Sequence, residues 1–233
     1  MRNIIIIGAS KGLGNSIIDG IGKEGDIFYL VSRSRPINFD SQTKFKKHWI
    51  EADLSDLSST QTIIKAINKI PLDVLIYNAG IWEKENFEKT STGEIINIIN
   101  VNLTSVILLV QKLIKNIRKG HLKKIIFIGS TCGLENEGSD SITYNATKFA
   151  IRGVTHALRE YLRKDSISVT CISPGSIAND VSFSKGTKAA LKKYSNKKIP
   201  VSDITRIINV ILETSIASCI KEIHVPALQD RDV

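Results

Sequence analysis

Tyr144 and Lys148 stand four residues apart in TYNATK. On a helix that spacing puts both side chains on one face. A cationic ammonium favours the ionised form of a neighbouring phenol, whose ordinary pKa is about 10. A phenol tuned in this way can give and accept a proton near neutrality. Taken alone, the pair reads equally well as a packed tyrosine with a polar tip and a solvated lysine. Two further features change that balance. Ser130, in IGSTCG, lies fourteen residues before Tyr144. A glycine-rich turn, GASKGLG, with Gly8, Gly12 and Gly14, follows the first apolar run.

A strand that ends in glycines opening a helix offers free backbone N–H groups and the positive end of a helix dipole to a phosphate. Glycine also lets a pyrophosphate approach the backbone closely. The same residues fit GxSxG, with Ser10 at the nucleophile position of a hydrolase elbow. That elbow needs an oxyanion loop from an earlier strand, and Ser10 follows the first strand, so the hydrolase reading is set aside. After the second apolar run comes SRSR, Ser32 to Arg35. A dinucleotide of the NAD type meets an acidic residue at this place, which binds the ribose 2′-hydroxyl. Here Ser32 stands there, with Arg33 next and Lys11 in the glycine turn. Serine and arginine suit a 2′-phosphate that a carboxylate would repel. The competing reading makes Arg33 and Arg35 solvated loop charges.

The elements that must position these residues are legible as apolar runs alternating with helical stretches. Strands are expected at Asn3 to Ile7, Ile27 to Val31, Lys47 to Glu51, Val74 to Tyr77, Lys124 to Ile128, Ser168 to Ile172 and Glu222 to Val225. Runs such as IIII, DVLIY and KIIFI suit strands covered on both faces. Helices are expected over Gly14 to Lys23, Ser58 to Ile70, Thr92 to Arg118, Ser141 to Arg163 and Ser202 to Ser215. Alternation of this kind argues an α/β fold, one Rossmann-type doubly wound parallel sheet of about seven strands with helices on both faces. The 233 residues suit one such domain, 1–233, with residues 176–200 as a mobile substrate-loop insert.

Composition excludes several other classes. Hydrophobic residues make up 42% and charged residues 24%, as in an ordinary soluble globule. No uninterrupted apolar run reaches the roughly 18–20 residues of a membrane span. The start MRNIIIIGAS does not read as a signal peptide, since no cleavage region follows its four isoleucines. A net charge of +9 raises the question of nucleic acid. The lysines are dispersed, however, and clusters such as Lys44, Lys46 and Lys47 are short, so a basic surface is the simpler reading. Cys132, Cys171 and Cys219 show no metal spacing and cannot all pair, which suggests a reducing cytoplasm. The histidines His48, His121, His156 and His224 are scattered, and no metal site is expected.

The ordered set of motifs resembles the short-chain dehydrogenase/reductase family, in its shorter single-domain branch, from Asn3 to about Leu212. GASKGLG resembles the family's phosphate turn, which implies contacts from Gly8, Ser10, Lys11, Gly12, Leu13 and Gly14. Ala52-Asp53-Leu54 resembles a short motif that contacts adenine, with Asp53 on the exocyclic amine. Tyr77-Asn78-Ala79-Gly80 resembles an NNAG strand end, with Tyr77 in place of the first asparagine. Asn102, Ser130, Tyr144 and Lys148 match the family's catalytic tetrad. Pro174-Gly175 matches a PG turn, which implies that Ile177 and Asn179 lie along the cofactor. The family often has a threonine that touches the cofactor's carboxamide where this chain has Asn179, whose amide can still bond one, and the ending HVPALQDRDV lacks the usual glycines.

The resemblance implies hydride transfer between NADP(H) and a carbonyl or alcohol carbon. Tyr144 would exchange the proton, Lys148 would keep the phenol acidic and bind the nicotinamide ribose, Ser130 would bond the substrate oxygen, and Asn102 would hold a water leading to Lys148. A pocket would be lined by Ile81, Trp82, Thr131, Cys132, Leu134 and the insert from Ser176 to Lys185. Within it, Trp82 and Phe183 offer flat apolar surface, unless they merely pack loops. The resemblance also implies a homodimer or homotetramer. The rival from another class is an NADP-binding regulator or scaffold without turnover, and a tetrad with an acidic tyrosine argues against it.

Overall fold

A computed structural model describes residues 1–84, 86–135 and 139–229. Seven strands form one sheet: β1 (Asn3–Ile7), β2 (Ile27–Ser32), β3 (Lys46–Glu51), β4 (Val74–Tyr77), β5 (Lys124–Ile128), β6 (Ser168–Pro174) and β7 (Glu222–Val225). All neighbours pair in parallel, in the order β3-β2-β1-β4-β5-β6-β7. The helices are α1 (Gly12–Ile21), α2 (Ser59–Ile67), α3 (Thr92–Ile99), α4 (Ser105–Ile117), α5 (Ile142–Leu162), α6 (Gly186–Tyr194) and α7 (Val201–Glu213).

The four isoleucines of β1 explain the layering. Successive strand residues point to opposite faces. Ile4 and Ile6 therefore enter a core with Leu13 and Ile17 of α1 and Ile204 and Ile208 of α7. Ile5 and Ile7 enter a second core with Ile63 of α2, Leu109 of α4 and Ile151 of α5. All four isoleucines are fully buried. Burying one such side chain stabilises by about 1.5–3 kcal/mol, so a run without polar interruptions is what a doubly covered strand requires.

The sheet order reverses between β1 and β4, and such a reversal leaves a crevice beyond the strands' carboxyl ends. The register Ile7↔Tyr77 and Tyr77↔Phe127 levels those ends. Gly8, Asn78 and Ser130 thus emerge along one edge.

Several expected elements differ from the observed ones by a few residues at their ends, and two stretches differ in kind. The stretch read as one helix from Thr92 to Arg118 contains a π-helical turn, Asn100–Thr104, between α3 and α4. As a unit, Thr92–Ile117 is long and apolar enough on average to cross a membrane, although no uninterrupted apolar run in it reaches that length. Here Val106, Leu109 and Leu113 lie in the sheet-facing core, while Ile96, Ile99 and Ile107 are exposed. The stretch 176–200, expected to be irregular, contains a 3-10 turn, Phe183–Lys185, and the nine-residue α6. Of the α6 residues only Ala190 is buried, so the sequence carries little of the apolar periodicity that announces a helix.

Candidate functional site

The turn after β1 is fixed by close backbone approach. Gly8 has φ +88°, and a Cβ there would lie 2.6 Å from the Ala79 nitrogen. A Cβ on Gly14 would lie 1.9 Å from the Gly8 carbonyl oxygen, closer than any real contact. Asn78 ties β4 to this turn by donating from Nδ2 to the Gly8 carbonyl at 2.9 Å. The first turn of α1 has no acidic residue, and its N-cap, Lys11, gives no side-chain cap. Its Leu13 N–H donates instead to Asn179 Oδ1, 3.0 Å away, from the segment after β6. Asn179 therefore meets the glycine turn rather than standing apart at the far end of the site.

The segment after β2 divides its two arginines. Arg35 pairs with Asp40 at 2.8 Å and stacks over the Phe39 ring at 4.5 Å. Arg33 is exposed and, among the described residues, makes no hydrogen bond or ion pair. Ser32 donates its hydroxyl to the Ser34 carbonyl at 2.7 Å, which shapes the turn that carries Arg33. Asp53 accepts the Ser55 N–H and hydroxyl on one oxygen, and Leu54 is buried in the core.

Around β4 and β5 four sequence motifs converge. Lys148, 5% exposed, donates from Nζ to the Ile128 carbonyl at 3.1 Å. The same ammonium lies 5.3 Å from the centre of the Tyr144 ring. A Cβ on Gly80 would come within 3.5 Å of Lys148 Nζ and 3.8 Å of Asn102 Oδ1. Asn102 sits in the π-helical turn. Its Oδ1 accepts the Ile81 N–H at 2.9 Å, while its Nδ2 donates to the Ile81 carbonyl at 2.7 Å and to Thr147 Oγ1 at 3.1 Å. Turns of this type are frequent at functional sites, because the extra residue re-aims a side chain. Ser130 lies two residues beyond β5, is buried, and accepts the Cys132 N–H on its hydroxyl at 3.2 Å. A Cβ on Gly133 would lie 2.8 Å from the Lys148 carbonyl, so the loop after Ser130 sits directly on α5.

The expected pocket residues fall into different environments. Trp82 is 63% exposed, and its ring meets the Tyr144 ring edge-on at 6.5 Å. Thr131 and Leu134 are buried and Cys132 is half-buried. Phe183 is half-buried, and its ring packs against the core that contains Leu13 and Ile17, in keeping with the loop-packing alternative. Ile177 packs against the same core and bridges Ile199. Pro174 is the last residue of β6 and pairs with Val225, and the next residue, Gly175, donates its N–H to the Val225 carbonyl.

Sequence reasoning missed Glu83. This residue is 7% exposed and accepts the Thr143 N–H at 2.5 Å and the Tyr144 N–H at 3.2 Å on Oε1. It caps α5 from a loop some sixty residues earlier in the chain. An Asp or Glu inside the first turn would have been visible in sequence, but that turn has none.

Comparison with known proteins agrees with this geometry. The sequence profile described as short chain dehydrogenase matches residues 2–190. The chain belongs to the short-chain dehydrogenase family. It is 26% identical over 208 residues to the L-rhamnose 1-dehydrogenase (NADP(+)) of Thermoplasma acidophilum, covering 86% of this chain and 82% of that protein. It is 28% identical over 210 residues to the 3-oxoacyl-[acyl-carrier-protein] reductase FabG of Buchnera aphidicola, covering 87% and 84%. A solved short chain dehydrogenase family protein from Francisella tularensis superposes with a TM-score of 0.80 at 21% identity, covering 97% and 98%. The chain thus shares the parallel, doubly wound fold and the oxidoreductase character of its family.

The site's residues fit a dinucleotide. Gly8 and Gly14 leave no room for a side chain in the turn, and a Cβ on Gly80 would meet only Lys148 Nζ and Asn102 Oδ1 within 4 Å among the described residues.

Proposed function

We propose that the protein is an NADP(H)-dependent oxidoreductase that interconverts a carbonyl compound and its alcohol, with reduction as the working direction. The observation that carries this reading is the buried Lys148 ammonium, held between the Ile128 carbonyl and the Tyr144 ring beside the open face of Gly80. A buried cation beside a phenol lowers the cost of the phenolate, and a group that alternates between phenol and phenolate serves as general acid and base.

Gly8 to Gly14 would receive the pyrophosphate on the backbone amides that open α1, with Ser10 and Lys11 at its side. Arg33 and Lys11 would hold a 2′-phosphate, which supports NADP(H) over NAD(H). The name of the Thermoplasma relative is in keeping with that preference. Asp53 and Leu54 would face the adenine, Asn78, Ala79 and Gly80 the adenosine side, and Pro174, Gly175 and Ile177 the nicotinamide side. When bound, the cofactor supplies the hydride. The chain's own residues supply the rest. Ser130 donates to the substrate oxygen as charge develops there. Tyr144 gives that oxygen its proton, Lys148 favours the anion left behind, and Asn102 aligns the path by which the proton is replaced. Trp82, Thr131 and Cys132 bound the substrate, with no role assigned to Phe183.

The exposed Ile107 and Tyr161 border a groove between α4 and α5 that also involves Val110, Ile114 and Leu158. The apolar side chains exposed here, beside Lys112, Lys115 and Arg118 of the same groove, support a homodimer or homotetramer. The unpaired thiols of Cys132, Cys171 and Cys219 support a cytoplasmic setting. NADPH oxidation followed over aldehydes, ketones, quinones, pterins and acyl-thioester ketones tests the function. Turnover of at least one class, by material that light scattering shows to be oligomeric, is expected. NADPH binding without turnover of any class favours the regulator instead.

A further inference from the structure

Helix α1 enters the fold with its first amide groups unserved by its own cap. Such orphan N–H groups require a partner. The partner of Leu13 N–H is Asn179 Oδ1, at 3.0 Å, from a residue 166 positions later in the chain. The atoms nearest to a Cβ on Gly12 would be those of Asn179, with Oδ1 at 3.1 Å and Cβ and Cγ at 3.4 Å. The side-chain amide therefore lies against the face of the turn that a phosphate would need. The backbone on either side of Asn179 is anchored. Ala178 is fully buried and its N–H donates to the Ile199 carbonyl, while Val181 N–H donates to the Ala178 carbonyl. The Asn179 side chain itself is exposed. It can leave by a rotamer change, with no rearrangement of its segment.

We propose that Asn179 is an internal stand-in for phosphate: its neutral amide oxygen holds the Leu13 N–H when the turn is empty and yields it when a dinucleotide pyrophosphate arrives. This inference rests on the glycine turn being the cofactor's phosphate site, and it adds a control on that site.

The stand-in role predicts a changed affinity for a ligand without nicotinamide, whereas the carboxamide contact implied by the family resemblance predicts none. The probe is 2′-phospho-ADP-ribose, titrated by calorimetry into the full-length protein. Removing a competing hydrogen bond of ordinary strength changes an affinity by about 2- to 10-fold. Asn179→Ala should therefore bind 2′-phospho-ADP-ribose about 2- to 10-fold more tightly than the wild type. Asn179→Asp keeps the acceptor but sets a negative charge beside the phosphate, and should bind at least about 10-fold more weakly. Thermal unfolding supplies a second readout. Asn179→Ala should lower the midpoint only without ligand, because the ligand replaces the lost acceptor. Equal or weaker binding by Asn179→Ala, with a folded variant, overturns the stand-in. A wild type that binds neither NADPH nor 2′-phospho-ADP-ribose overturns the cofactor site itself, and the stand-in falls with it.

Discussion

Glu83 holds the backbone of Tyr144: its Oε1 accepts the Tyr144 N–H at 3.2 Å and the neighbouring Thr143 N–H at 2.5 Å. The carboxylate is buried, and among the described residues its second oxygen has no hydrogen-bond partner. A negative group at a helix N-terminus satisfies orphan amides and complements the dipole. Glu83→Ala leaves two amides of α5 without an acceptor and should cost about 1–3 kcal/mol by denaturant unfolding. Turnover should fall while NADPH affinity is retained, because the lost contact is to α5 and not to the glycine turn. Unchanged stability would contradict the capping role.

Arg33 and Arg35 should separate cleanly. Arg35 already has Asp40 and Phe39 as partners, whereas Arg33 is exposed. A charge-assisted bond to phosphate contributes about 1.5–3 kcal/mol. Arg33→Ala should therefore weaken NADPH binding by about 10-fold or more and leave NADH nearly unchanged, by fluorescence titration. Arg35→Ala should leave the ratio of the two affinities in place. Equal losses for both nucleotides in Arg33→Ala would remove the assignment of the 2′-phosphate.

Gly14 is limited by space. An added methyl would sit 1.9 Å from the Gly8 carbonyl oxygen, so the turn must open. Gly14→Ala should destabilise by about 1–3 kcal/mol, the usual cost of overpacking. It should also weaken NADPH at least about tenfold, since the amides that face the phosphate move with the turn. A variant with normal NADPH affinity would show that the turn does not bind the cofactor.

Acid sensitivity should trace to Glu222. Burial would raise its pKa, but Arg152 and His156 outweigh burial and hold the carboxyl at about 2, below its ordinary 4.5. Arg152 also donates to the Gly133 carbonyl at 3.0 Å, on the loop that follows Ser130. A carboxyl with a depressed folded pKa adds stability above its unfolded pKa and loses it as pH falls toward the folded value. The stability difference between wild type and Glu222→Gln should be about 2 kcal/mol at neutral pH and shrink between about pH 5 and pH 2. A difference that grows on acidification would reverse the sign and refute the assignment.

The strands were legible because their residues are buried on both faces. IIII, VLIY and KIIFI need no alternation, and the structure starts and ends β1, β4 and β5 at the expected residues. The ordered motifs around Gly8, Asn78, Ser130, Tyr144 and Lys148 were legible for a related reason: each follows a strand or shares a helix face. What escaped depends on contacts distant in sequence. The π-helical turn takes its register from the bonds of Asn102 to Ile81, and nothing in NVNLT announces it. Glu83 caps a helix that begins some sixty residues later. The partner of Leu13 lies beyond β6. Phe183 illustrates the converse, since an aromatic ring in a loop gives no sign in sequence of whether it faces a cavity or a core.

The most direct measurement is NADPH binding and turnover by Tyr144→Phe, side by side with the wild type. Removing the phenolic hydroxyl deletes the proton donor but leaves the ring against Trp82 and the glycine turn intact. NADPH affinity should stay within about threefold, while turnover of any substrate the wild type reduces should fall by at least about 100-fold, the usual contribution of a positioned general acid. Near-normal turnover by Tyr144→Phe would contradict the account.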